Sequence, residues 1–104
     1  MKLTNDKIKN LKLGAYQSGD IDFIIDNEHS VVIDFNANTK FIPFETSTGH
    51  GGWDTIHSVT IVSLTLFKDG DETSTKVEYD EQDLEYFLQN WLVDNHYVED
   101  YIKN

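Results

Sequence analysis

The chain has 104 residues, 38% of them hydrophobic, with 13 Phe, Tyr and Trp to supply bulk, so one core and a single α+β domain spanning 1–104 are expected. Asp and Glu number 19 against 8 Lys and no Arg, a net charge of −11. Such a surface runs against nucleic-acid phosphate and anionic lipid, which excludes direct nucleic-acid binding as the expected activity. No apolar run is long enough to cross a membrane, and the opening Met1-Lys2-Leu3-Thr4 lacks a secretory pattern. Without cysteine there is no disulfide framework or thiolate, which suits a cytoplasmic protein.

The first expected element is a short helix capped by Thr4 and closed by Gly14, with Leu3 and Ile8 placed as a hydrophobic staple. Four of the eight lysines (Lys2, Lys7, Lys9 and Lys12) lie in or beside it. Asp20–Asp26 then alternates with period two, placing Ile21, Phe23 and Ile25 on one face and Asp20, Asp22, Ile24 and Asp26 on the other. A turn through Asn27 and Glu28 leads to a strand at Val31–Phe35, giving a hairpin. Residues 39–44 read as a third strand that Pro43 confines to an edge or an end.

Residues 45–55 read as a loop containing three of the six glycines beside Trp53, and Ile56–Phe67 as a strand long enough to need a bend or bulge. Lys68-Asp69-Gly70-Asp71 is a turn, and Thr73–Tyr79 is expected to return as the partner strand of a second hairpin. Asp80 caps the next helix, whose Leu84, Phe87, Leu88, Trp91 and Leu92 make one buried stripe. Tyr97, Val98, Tyr101 and Ile102 suggest a short final helix. The expected fold is α+β: an antiparallel sheet of four to five strands, with a short N-terminal helix and C-terminal helices packed on one face.

No reaction is legible. The Gly49–Gly52 segment is followed by neither a Lys-Ser/Thr pair nor a helix, so it is no phosphate loop. His50, Asp54 and His57 match no zinc spacing, and incidental histidines are the simpler reading. No serine sits in a nucleophile elbow, and nothing marks a carboxylate pair as buried. Neither enzyme nor cofactor nor metal is expected.

The carboxylates have informative spacing. Alternate strand residues stand ~6.6 Å apart, so Asp20, Asp22 and Asp26 would form a row that Asp34 joins across the hairpin. A second acidic run includes Asp69, Asp71, Glu72, Glu81 and Glu85. Ile24 and Val32 lie among the first group and would supply the desolvated centre of an interface. The bland alternative is that the charge serves only solubility.

By size and charge alone the chain is similar to small phage-encoded inhibitors, such as anti-CRISPR and anti-restriction proteins, and to immunity proteins that block nuclease toxins. That resemblance implies a non-enzymatic inhibitor acting as a nucleic-acid mimic on a basic, nucleic-acid-binding protein, with Asp20, Asp22, Asp26, Asp34, Asp69, Asp71, Glu72, Glu81 and Glu85 as candidate contacts. The alternative is a structural, assembly or toxin-immunity module that binds its partner through the glycine-rich loop and Trp53.

Overall fold

The computed structural model of the chain describes residues 1–43 and 52–102. A two-residue strand β1, Lys2–Leu3, leads into helix α1, Asn5–Lys9, where the Lys7 N–H donates to the Thr4 hydroxyl as the cap pattern predicts. The helix stops five residues before Gly14. Lys12–Gln17 is instead strand β2, in which Gly14 is the extra residue of a bulge opposite strand β3, Asp20–Ile24. A side-chain carbon at Gly14 would stand 3.1 Å from the Asp22 carbonyl oxygen. Glycine therefore eases a close approach here and does not end a helix.

The hairpin of β3 with β4, His29–Ile42, is present as expected, and Ile21, Phe23, Val31 and Ile33 are buried on its inner face. The third strand expected at 39–44 is the far half of β4, which runs unbroken to Ile42 just ahead of Pro43. Its partner β5, Trp53–Lys68, is longer than expected, so Trp53, Asp54 and Thr55 belong to a strand; 45–51 of the expected loop lies outside the described residues. The anticipated irregularity occurs twice. The ladder skips between Ile61 and Ser63 and between Ile56 and Ser58, leaving Val62 and His57 as extra residues. Bulges add twist, and twist is what lets strands of this length curl.

The second hairpin is the main correction. Asp69 and Gly70 both have positive φ (51° and 85°), the mirror-image turn that an Asp-Gly pair favours. The returning strand β6 is only Asp71–Glu72, however. Its last link to β5 is the Thr73 N–H, which donates to the Leu66 carbonyl at 2.9 Å. Residues 73–77 then leave the sheet, and β7, Glu78–Tyr79, runs parallel to β1. Five antiparallel strands in the order β2-β3-β4-β5-β6 thus form a curled sheet, with β1 and β7 as a separate pair.

Helix α2, Glu81–Asp94, packs against β5. The Asp83 N–H donates to the Asp80 cap at 3.0 Å, and Leu84, Leu88 and Leu92 are fully buried. At 100° per residue, Phe87 and Trp91 flank this stripe on one side and Glu85 and Gln89 on the other. Phe87 and Trp91 meet Phe23 of β3 edge-on, with ring centroids 5.7 and 5.3 Å apart. On the opposite flank, Glu85 Oε2 accepts the Ile61 N–H at 3.0 Å, and the Gln89 amide donates to the Ile56 carbonyl at 3.1 Å. Both backbone groups border a bulge, so helix side chains satisfy β5 where a strand would otherwise pair.

The final helix expected at 97–102 is a single 3-10 turn, Val98–Tyr101. It is tied to the β2–β3 turn. Tyr16 stacks on Tyr97 at 3.8 Å and donates its hydroxyl to Asp100 at 2.9 Å, while Tyr101 accepts the Gly19 N–H at 3.1 Å. Burial and these hydroxyl and carboxylate neighbours push the Tyr16 pKa well up.

Helix α2 ends in a Schellman arrangement: the Tyr97 N–H donates to Leu92 and the His96 N–H to Val93. His96 takes the left-handed position with φ 64°, where a side chain costs about 1 kcal/mol. His96→Gly is therefore expected to stabilise the protein by ~1 kcal/mol, raising Tm by ~4–8 °C in a thermal melt. An unchanged or lower Tm would show that the imidazole contributes more than the strain it imposes.

Candidate functional site

Among the described residues no helix covers the outer face of the sheet, opposite α2. Period-two alternation puts Asp20, Asp22 and Ile24 of β3 there, because Ile21 and Phe23 point into the core. Asp20 lies directly opposite Asp34, and Asp22 opposite Val32. Asp34 in turn accepts a hydrogen bond from the Ser63 hydroxyl at 2.7 Å. Asp20, Asp22 and Asp34 thus form one group, with Ile24 (41% exposed) and half-buried Val32 beside it.

This group is electrostatically tense. Partial burial, then the charges of Asp34 and Asp22, raise the Asp20 pKa above its ordinary 3.8. Asp22 Oδ1 is enclosed and has no hydrogen-bond partner. Lys12 lies on the same face opposite Ile24, but among the described residues no lysine pairs with these carboxylates, and the only ion pair is His29 with Asp26, at 3.0 Å. Like charges directly opposite on adjacent strands are destabilising by ~0.2–1 kcal/mol, so the sheet bears a cost at this face.

The other candidate contacts are dispersed, and several have structural duties. Asp26 is not in the row; β3 ends at Ile24, and Asp26 caps the turn by accepting the Glu28 and His29 N–H groups at 2.8 Å and the His29 ring. The Glu28 N–H first, with the His29 ring behind it, lowers the Asp26 pKa. Asp69 is committed to the turn by its positive φ, and its N–H donates to Glu28 at 2.7 Å. Asp71 and Glu72 are exposed on the short β6, beside the β3–β4 turn. Glu81 is exposed in the first turn of α2, where the helix dipole favours it. Glu85 is taken by Ile61. The continuous acidic run expected from 69 to 85 is therefore two groups, one at the strand turns and one at the head of α2, with residues 73–77 between them.

Trp53 stands at the far end of the β4–β5 hairpin, opposite Ile42, and is 48% exposed. It borders a groove of about 550 Å³ together with Val93, Val98 and Ile102, which the sequence did not connect to it. Of the three candidate metal ligands, Asp54 shares this groove, His57 is exposed at a bulge, and His50 lies outside the described residues. Among the described residues no group of three or more His, Asp or Glu side chains is placed to hold a metal ion. No described helix is long and apolar enough to cross a membrane. No protein-family model, curated protein or solved structure matches the chain.

The pKa directions give a test with opposite signs. Asp20 binds its proton more readily folded than unfolded, so its charge costs stability; the cost grows as pH rises from 3.8 through the raised native value and disappears at lower pH. Asp26 contributes stability above 3.8 that is lost as pH falls through its lowered value. Carboxyl NMR titration is expected to place Asp20 above 3.8 and Asp26 below it. Asp20→Asn is expected to stabilise the protein by ~0.2–1 kcal/mol at pH 7, with the gain vanishing in acid. An Asp20 that titrates at or below 3.8 would contradict the described grouping.

Proposed function

We propose that the chain is a non-enzymatic inhibitor that presents the Asp20–Asp22–Asp34 face to a basic nucleic-acid-binding protein in place of nucleic acid. The observation that carries this reading is the opposition of Asp20 to Asp34 on an uncovered sheet face, beside exposed Ile24 and without a lysine partner. A sheet gains nothing in stability from that pairing. A partner's Lys or Arg side chains would turn the repulsion into attraction and speed association.

Dimensions refine the mimicry. The molecule measures 52 × 27 × 20 Å. Over 52 Å a duplex carries about 30 phosphates and a single strand about 15, from one charge per ~1.7 Å and ~3.4 Å respectively. The net charge of −11 also holds for the described residues, because Glu45 and Lys103 outside them cancel. It is nearer to the single strand. Neighbouring strands ~4.8 Å apart and alternate residues ~6.6 Å apart put the three carboxylates at separations of the same order as successive phosphates.

The test is capture of proteins from a lysate on the wild-type chain and on an Asp20→Asn, Asp22→Asn, Asp34→Asn triple variant. Wild type is expected to retain basic nucleic-acid-binding proteins that release as salt rises from ~50 to ~200 mM and that single-stranded oligonucleotide displaces. The triple variant is expected to lose them. A complex that survives high salt, leaves the partner's nucleic-acid binding intact, or ignores the three substitutions contradicts the reading.

A further inference from the structure

The groove beside Trp53 lies where the far end of the β4–β5 hairpin meets the last turn of α2 and the 3-10 turn. Trp53, Val93, Val98 and Ile102 give it apolar walls, and its 550 Å³ falls within the range of sites that enclose a small ligand or one or two bulky side chains. Trp53 is half-exposed although tryptophan gains more than almost any residue by burial.

The rim has a consistent sign. Among the described residues Asp54 and Glu99 line the groove, the only other titratable group there is His96, and no lysine does so. Helix α2 also points its negative dipole end here, and its last turn holds Asp94 and no basic residue. Helix ends are ordinarily complemented by a cation at this position. The carboxylates, the dipole and the face of an exposed indole all favour the same occupant, since a cation over tryptophan is attracted by its ring.

We infer that this groove docks a basic segment of a partner protein, taking one bulky apolar side chain between Trp53, Val93, Val98 and Ile102 while flanking Lys or Arg residues meet Asp54, Glu99 and the end of α2. The apolar anchor supplies affinity and the charges supply register and on-rate. The groove is built from residues other than the Asp20–Asp34 face, and this docking does not depend on nucleic-acid mimicry.

The experiment is an amide and indole NMR titration of the full chain with three synthetic peptides. One is a Phe flanked by two Lys on each side, the second has Gly for the Phe, and the third has Glu for each Lys. The first is expected to shift the Trp53 indole and the Val93, Val98 and Ile102 amides, and to bind at least about tenfold more tightly than the other two. Trp53→Ala and Glu99→Lys are each expected to weaken it by about tenfold or more. Both side chains are exposed, and unchanged core methyl signals verify folding. Equal binding of the Gly peptide would mean a non-specific polycation effect, and equal binding of the Glu peptide would remove the charge argument; either overturns the inference. So does absence of binding, or shifts centred on Asp20 and Asp34. Asp20→Asn with Asp34→Asn leaves this titration unchanged, which separates its outcome from that of the inhibitor reading.

Discussion

Helix α2 packs on the inner face of the sheet and is tied to β5, and the core is built around that contact. The leucine stripe supplies the adhesion: Leu84, Leu88 and Leu92 are each fully buried, worth ~1.5–3 kcal/mol apiece. Glu85 and Gln89 add less energy but fix the position, because each meets a β5 backbone group beside a bulge. Glu85 meets Ile61 and Gln89 meets Ile56, so the helix runs antiparallel to β5. After Glu72 the chain leaves β5 and crosses to pair with β1.

The same contact decides what is left open. A sheet curled about one helix buries its inner face and leaves the outer one bare, and that bare face carries Asp20, Asp22 and Asp34. The far end of the long hairpin passes the end of α2, and the groove forms where Trp53 faces Val93 across this junction. Net charge alone does not separate these features. Of the acidic candidate contacts, Asp26, Asp69 and Glu85 are bound to backbone or to a turn, while Asp20, Asp22 and Asp34 are grouped on the outer face and Glu72 shares that face farther along the sheet.

Features governed by local chemistry were legible in the sequence. The Thr4 and Asp80 caps, the Asp69-Gly70 turn, the β3–β4 hairpin and the α2 stripe each depend on residues within a turn or two of one another. β2 was misread because Lys7 to Gly14 carries both a helical spacing of Ile8 and Leu11 and a glycine suited to a helix end. The chain chose the sheet because Gly14 permits a bulge against Asp22, a contact with a residue eight positions away. The second hairpin forms, but its return strand stops at Glu72 although alternation at Thr75, Val77 and Tyr79 favours a longer one. Glu85 resembled surface charge, since its partner Ile61 is 24 residues distant. Asp20, Asp22 and Asp34 were found because period-two alternation and a short turn fix their register, and Asp26 was misplaced by a strand that ended two residues sooner than its pattern.

Amide hydrogen exchange at Ile61 tests the α2–β5 contact most directly. The Ile61 N–H faces no strand, so its protection depends on the Glu85 carboxylate. In the wild-type chain it is expected to exchange as slowly as the ladder amides of β4. In Glu85→Ala the Ile61 amide is expected to lose protection by about tenfold or more, as an unsatisfied group costing ~1–3 kcal/mol implies, while the β3–β4 ladder amides keep theirs. Fast exchange at Ile61 in the wild type, or full protection in the variant, would contradict a sheet curled and held by this helix.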